Sequence, residues 1–218
     1  MANNFYNAVR RNLSADSGLP TAVYTTPNSV KAILIELDVA NKSSAGVTVT
    51  VQLEDESQNE SGGNAHTVTV ATGVTGLITT TSAAAHNLVV NDRVVFAGTA
   101  PSFTNATLPP SGETAVSATR MYYVQSKPSD STFTIAESRS ATDPETFDTN
   151  GSNVVFTKIH IADIVKDAPV PVGGALKVIS GQKLVLESDS SGVNDKVYAY
   201  SSAANSVDAI GSVLQEVS

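Results

Sequence analysis

The sequence predicts an all-β chain: an antiparallel β-sandwich, jelly-roll or immunoglobulin-like, with a small barrel-like β domain inserted in one hairpin. Three observations predict it. Only 16% of the 218 residues are charged. Ser, Thr, Asn, Ala, Val and Gly take their place, and β-branched side chains suit pleated surfaces while Ser, Asn and Gly suit turns. Short runs alternate apolar and polar residues with period 2, separated by turn signals at near-regular spacing, which is the pattern of a sandwich or barrel. Finally, the composition shifts twice along the chain, near residue 57 and again near residue 148.

Residues 1–20 mix Phe5, Tyr6, Val9 and Leu13 with Asn, Ser and the pair Arg10-Arg11, without a clean period. This is read as an N-terminal arm that orders against a neighbour; a first strand with a ragged start is the other reading. Thr21 to Thr26 is a short strand closed by the turn pair Pro27-Asn28. In Val30 to Ala40, Ile33, Ile35, Leu37 and Val39 alternate with Ala32, Leu34, Glu36 and Asp38, so the larger apolar residues are expected on one face. After the loop Asn41-Lys42-Ser43-Ser44-Ala45-Gly46, the run Val47, Val49, Val51 and Leu53 alternates with Thr48, Thr50, Gln52 and Glu54. The two strands are expected to pair as a hairpin.

Ser57 to Asn64 contains no apolar residue and reads as a loop tip, mirrored by Asp148 to Asn153. The strands after it, through Lys158–Ala162, Ala175–Ser180, Lys183–Glu187, Lys196–Ser201 and Ala209–Val217, resume the first regime. The economical interpretation is insertion at a hairpin tip, where little buried backbone is disturbed. It places an outer sandwich in residues 21–60 and 153–218 and an inserted β domain in 65–150. One continuous β domain with a long elaborated loop is the alternative.

Composition excludes several functions. With no cysteine there is no disulfide framework, thiolate nucleophile, zinc–thiolate site or iron–sulfur cluster. No apolar run approaches a membrane span, and the start Met1-Ala2-Asn3-Asn4-Phe5 has no secretory pattern. A net charge of -8, with 13 scattered Lys and Arg, repels nucleic acid. Neither nucleic acid nor a membrane is an expected partner. No nucleophile elbow, phosphate loop or zinc-protease helix is present. His66, His86 and His160 are too far apart to suggest a metal by spacing, and His86 reads as a turn residue whose ring bonds backbone. Glu54-Asp55-Glu56, Asp143-Pro144-Glu145 and the oxygen-rich run Asp189 to Asp195 read as solvated loops or turns rather than cation sites. No cofactor is expected.

Two resemblances bear on function. Ala2 to Val9, Val23-Tyr24-Thr25-Thr26-Pro27, Val165 to Gly174, Leu184-Val185-Leu186-Glu187 and Ser206 to Leu214 together resemble a family of small virion-associated proteins of tailed bacteriophages, each a compact β domain. Within the insert, Ile78 to Phe96, Met121-Tyr122-Tyr123-Val124 and Ser131 to Ala136 are similar to a repeat of phage tail and other virion proteins. That repeat is named for its likeness to the first catalytic cysteine half-domain of ubiquitin-activating enzymes. Without cysteine the thioester chemistry of that name does not apply. The repeat's usual Gly after the His is Asn87 here, which also tolerates left-handed backbone. In the insert, Val94 and Phe96 are expected on one face, with Tyr123, Phe133 and Ile135 opposite them.

The resemblances imply a non-enzymatic structural protein of a tailed-phage virion, assembled in the bacterial cytoplasm: an accessory exterior component, either capsid decoration or cement, or associated with neck or tail. Its implied partners are other virion proteins and copies of itself in a trimer or higher ring. Phe5, Tyr6, Val9, Arg10 and Arg11 are the candidate docking residues. The alternative is a host-glycan or receptor-binding module of a tail fibre or spike.

Overall fold

A computed structural model describes residues 3–59, 66–73, 75–81, 85–104 and 112–216. The chain divides into two compact units: Met1–Asp16, Pro20–Gln58 and Ile161–Ser218 form the first, and Ser17–Leu19 with Asn59–His160 form the second.

The first unit contains β1 (Asn3–Arg10), β2 (Thr21–Thr25), β3 (Lys31–Asn41) and β4 (Val47–Glu54). After the second unit come β11 (Ile161–Val170), β12 (Ala175–Ile179), β13 (Leu184–Leu186), β14 (Lys196–Ser201) and β15 (Val207–Glu216). One sheet runs β1-β15-β3-β12 with β13 also on β3, and the other runs β11-β4-β14-β2. With β12 and β13 counted as one interrupted strand, the first strand pairs with the last and the remainder wrap in nested pairs. This is the jelly-roll form of the sandwich rather than the immunoglobulin form. Leu34, Leu37, Val39 and Val213 from one sheet meet Val49, Val51, Val197 and Ala199 from the other in a shared core.

Four expectations about the first unit and its boundaries need correction. Residues 3–10 are not a free arm, because β1 pairs with β15 over eight consecutive positions, from Asn3↔Glu216 to Arg10↔Ala209. β3 and β4 do not form a hairpin: β3 pairs with β15, β12 and β13, and β4 with β11 and β14. The 3%-exposed Asn41 builds the corner between the sheets. Its Nδ2 donates to the carbonyls of Ala45 and Val170, and its Oδ1 accepts from Ser43 N at 2.9 Å.

The third correction concerns the phase of β3. Its partners jump from Ser212↔Glu36 to Val213↔Leu34, so Ile35 is the extra residue of a bulge. Ala32 and Leu34 are buried before it, and Leu37 and Val39 after it, while Ile33 and Ile35 turn to the outer face. The fourth concerns the outer unit's return at 153. Residues Ser152–Ile159 are the last barrel strand, and the sandwich resumes only at Ile161. His160 N donates to Asn59 Oδ1 at 2.6 Å where the second unit both begins and ends.

The second unit is a closed six-stranded barrel, ordered β10-β5-β6-β9-β8-β7. Its strands are β5 (His66–Val70), β6 (Ile78–Thr80), β7 (Arg93–Thr99), β8 (Tyr122–Ser129), β9 (Thr132–Ala136) and β10 (Ser152–Ile159). In topology it occupies the β4–β11 hairpin. The barrel core is aromatic: Phe133 and Phe156 meet edge to face at 5.0 Å, and Phe96 meets Tyr122 at 5.9 Å. Tyr122 and Val124 fill the core. Tyr123, expected there, is one residue out of phase. It is buried under Arg93, whose guanidinium carbon lies 4.6 Å from the ring centre and whose Nη2 donates to the Tyr123 hydroxyl at 2.6 Å.

A short piece of the N-terminal segment completes this unit. Arg93 Nη1 donates to Ser17 O at 3.2 Å and Met121 N to Gly18 O at 2.9 Å. A Cβ at Gly18 would lie 2.8 Å from the Met121 carbonyl oxygen, so only glycine passes this close.

Phe133 is fully buried between His86 and Phe156. Phe133→Ala should therefore destabilise the barrel by ~3–5 kcal/mol, the usual range for truncating a core aromatic, read as an earlier denaturant midpoint of the near-ultraviolet signal.

Candidate docking surface

The pleat of β1 sorts the candidate docking residues onto two faces. Phe5 and Val9 project outward, 66% and 44% exposed. Tyr6 turns inward against Tyr24, with ring centres 6.2 Å apart, and its hydroxyl accepts from Gln215 Nε2 at 2.9 Å. Burial, reinforced by the hydrogen bond with Tyr24, pushes the Tyr6 hydroxyl above the ordinary phenol range. Arg10 is exposed, and its Nε donates to the β2 carbonyl of Ala22 at 2.7 Å. Arg11 follows the strand and is exposed. Phe5 and Val9 are thus surface groups, while Tyr6 and Arg10 fasten β1 to its neighbours.

Register extends the outer face across the whole sheet. Phe5 lies opposite Leu214, Leu214 opposite Ile33, and Ile33 opposite Val185. This is an unbroken apolar row over four strands. Val9 lies opposite Ile210 one row pair further along, and Ile35 bulges out between the rows. Phe5, Val185, Ile210 and Val9 are all exposed, the last least, at 44%. Contiguous exposed apolar groups of this kind mark contact surfaces. The Lys31–Glu187 ion pair, at 2.9 Å, lies beside the first row, whereas the second row continues from Ile210 into Asp38 and Lys177, and Lys177 pairs at 2.5 Å with Glu36, which stands between the rows opposite Ser212.

Sequence reading missed Ile33, Ile35, Val185, Ile210 and Leu214. A strict alternation over Val30 to Ala40 assigns Ile33 and Ile35 to the core with Leu37 and Val39, and only the bulge reverses them. The usable signal was the surplus of apolar residues at both phases of β3.

The remaining candidates hold the fold. His86 is fully buried. Its Nδ1 accepts from Leu88 N at 3.1 Å, its Nε2 faces Thr132 O at 3.4 Å, and Asn87 beside it has a φ of 52°. The ring is therefore the neutral Nε2–H tautomer closing a turn. His160 is half-buried, and the side chain of His66 is outside the described residues. Asp189 caps its own turn, accepting from Ser191 N at 2.8 Å and Val193 N at 3.1 Å. The Val193 amide above all holds its carboxyl below the usual range. Asp55, Glu187, Asp189 and Asp195 line a cleft of about 390 Å³ beside Val185. Burial raises the Asp195 carboxyl, with Asp55 and Glu187 adding repulsion. Among the described residues, no group of three or more His, Asp or Glu is placed to hold a metal ion. No helix among them is long and apolar enough to cross a membrane.

No family model matches the chain, and no curated protein matches it. Among solved structures, the crystal structure of the infectious bursal disease virus VP2 subviral particle aligns with 98% of this chain and 40% of that chain, at 11% sequence identity and a TM-score of 0.12. The chain thus spans well under half the length of that protein. A likeness at this score carries no argument.

One titratable group stands apart from the docking face. In the barrel, Glu145 is pushed up to about 7, chiefly by burial and then by Glu137, partly offset by the Glu137 amide and by Arg120. Arg120 and Glu137, both buried, form their own ion pair at 3.3 Å. A carboxyl raised in the folded state favours folding while it is protonated. That contribution is complete below its ordinary value of 4.5 and fades as pH rises through about 7. Glu145→Gln should flatten the fall in thermal stability over this interval relative to the wild-type protein, read as the difference between their two melting profiles.

Proposed function

We propose that this chain is a non-enzymatic structural protein of a tailed-bacteriophage virion, an exterior accessory component that docks through the outer face of the β1-β15-β3-β12 sheet and carries the inserted barrel on its β4–β11 hairpin. The observation that supports this reading most is the apolar row Phe5-Leu214-Ile33-Val185, which crosses four strands on the side of the sheet away from the core. A row placed there adds nothing to the sandwich interior; it gains burial only against another molecule. The jelly-roll wrap agrees, since that architecture recurs in viral capsid domains, an analogy of fold alone. So do the resemblances of the outer strands and the insert to virion-associated proteins. The 390 Å³ cleft is lined by carboxylates, serines and aliphatic residues. It offers no aromatic platform for a sugar ring, which supports docking over glycan binding at this cleft.

The test is occupancy in particles. Phe5→Ser combined with Val185→Ser changes two exposed residues and leaves the core intact. Each buried side chain of this kind is worth ~1.5–3 kcal/mol, so the pair should weaken docking by at least roughly 100-fold. Purified virions of the encoding phage should contain the wild-type chain at fixed stoichiometry and be depleted of the variant, measured by quantitative mass spectrometry. Unchanged occupancy of the variant, or virions lacking the wild-type chain, would overturn the proposal.

A further inference from the structure

We infer that the open edge of β1 pairs with the β1 edge of a second copy of this chain, antiparallel about a two-fold axis through Asn7, so that one sheet continues into the other. The inference concerns the margin of the sheet and does not depend on the docking role of its outer face.

β1 ends its sheet, and among the described residues no strand lies beyond it. Leu13 N donates to Val207 O and Lys42 N to Ser206 O, which turns the backbone of odd-numbered β15 residues toward β1 and of even-numbered ones toward β3. The β1–β15 register is unbroken, so Arg10 and Ala8 exchange their main-chain bonds with Ala209 and Gly211. Alternation then directs the N–H and C=O groups of Phe5, Asn7 and Val9 to the open side. Val9 O accepts from Arg10 Nη1 at 3.1 Å and keeps a second lone pair.

Native proteins blunt such edges with short strands, prolines, bulges and charges. The other margins of the sandwich are blunted in these ways. β12 and β13 divide theirs into pieces of five and three residues, with a register shift after Lys177. β11 contains Pro169, and its ladder to β4 shifts twice. β2 has five residues, and its Ala22 carbonyl accepts from Arg10 Nε at 2.7 Å. β1 runs for eight residues with no proline, glycine or carboxylate. An edge of this kind is a template for strand addition.

Sequence and charge select a second copy as the added strand. With Asn7 on the axis, Phe5 stands opposite Val9 of the other copy, Tyr6 opposite Ala8, and Asn4 opposite Arg10. Large meets small on both faces of the sheet, and no charge meets a like charge. Main-chain bonds then join Phe5 to Val9 and Asn7 to Asn7, as an isologous contact requires. A slip of two positions would instead set Phe5 against Asn7. The apolar row Val185-Ile33-Leu214-Phe5 runs on into Val9 and Ile210 of the other copy, so the pairing lengthens the outer apolar band. The chain carries a net charge of -8, yet no Asp or Glu precedes Asp16. Two acidic chains thus meet on the one strand margin where neither brings a carboxylate.

The chain has no cysteine, so single introduced thiols report the register. Hydrogen-bonded antiparallel partners stand ~5.5 Å apart at Cα, within reach of a disulfide. Full-length Asn7→Cys, mildly oxidised, should therefore cross-link to itself. Phe5→Cys should cross-link when mixed with Val9→Cys but not alone, because the two copies of position 5 lie ~13 Å apart along the strands. Light scattering should give the wild-type chain twice the monomer mass. Asn7→Pro removes an N–H that faces away from β15, so it should return the chain to one mass with an unchanged circular dichroism spectrum. Asn7→Lys, which sets two cations together on the axis, should do the same while keeping the backbone donor. A monomeric or trimeric wild type, a dimer indifferent to both substitutions, or cross-linking of Phe5→Cys with itself would overturn the inference. A monomeric wild type that still loads onto virions would refute the edge pairing and leave the docking face standing.

Discussion

The pairing of β1 with β15 is the constraint on which the sandwich depends. It joins segments about 200 positions apart in the chain, so it closes a long loop and must offset the loop-closure entropy. β15 is also the partner of β3 over ten positions, from Val207↔Asn41 to Glu216↔Lys31. β15 is therefore the strand that joins β1 to the rest of the first sheet. The inward residues of β1 hold it there. Ala8 is buried in the core, Tyr6 packs on Tyr24, and Arg10 reaches a carbonyl of the opposite sheet's edge strand. Because those residues must point in, Phe5 and Val9 must point out.

The bulge at Ile35 does for β3 what pairing does for β1. Without the extra residue, one apolar phase of β3 would face the core throughout, and the other phase, with Glu36 and Asp38, would be polar. With it, the phase reverses midway: Leu34 and Leu37 both reach the core, and Ile33 and Ile35 are left outside. The cost is one position without a ladder partner. The sheet thereby gains one apolar face inside and a second, narrower apolar row outside, with the Lys31–Glu187 ion pair beside it. Neither feature belongs to a single strand. Both arise from register.

Fold class and the inserted arrangement were legible from alternation, turn chemistry and the shifts in composition, because these are local signals. The His86-Asn87 turn was legible for the same reason, and its ring and backbone adopt the roles that residue chemistry suggests. The features that were not legible depend on partners distant in sequence. Nothing near Asn3 to Arg10 says that a strand about 200 residues away will pair with it, so the segment reads equally as an arm. Alternation within β3 and β4 tells which residues share a face but not whether the two strands lie side by side or across a core. A bulge reverses phase without leaving a mark in composition, and Tyr122 and Tyr123 are too alike to reveal which one enters the barrel. Of the five docking candidates, Phe5 and Val9 were found by being apolar in a segment without period. Their companions on β3, β13 and β15 required the sheet.

The two units divide their physical requirements in a way that bears on function. The barrel is closed, so it has no edge strands to satisfy, and its aromatic core, buried Arg93 and Arg120 and neutral His86 are all used internally. The sandwich is open on both sheets and carries apolar surface beyond what its core requires. Its loop carboxylates serve local turns: Asp189 holds its own hairpin, Asp195 accepts from Glu187 N at 2.9 Å, and Glu54 accepts from the Tyr198 hydroxyl at 2.9 Å. Charged groups committed to backbone and neighbours in this way fix the loops that carry them. The surplus that remains is shape and apolar area on one sheet face. That surplus is the physical basis of the docking role proposed for the sandwich.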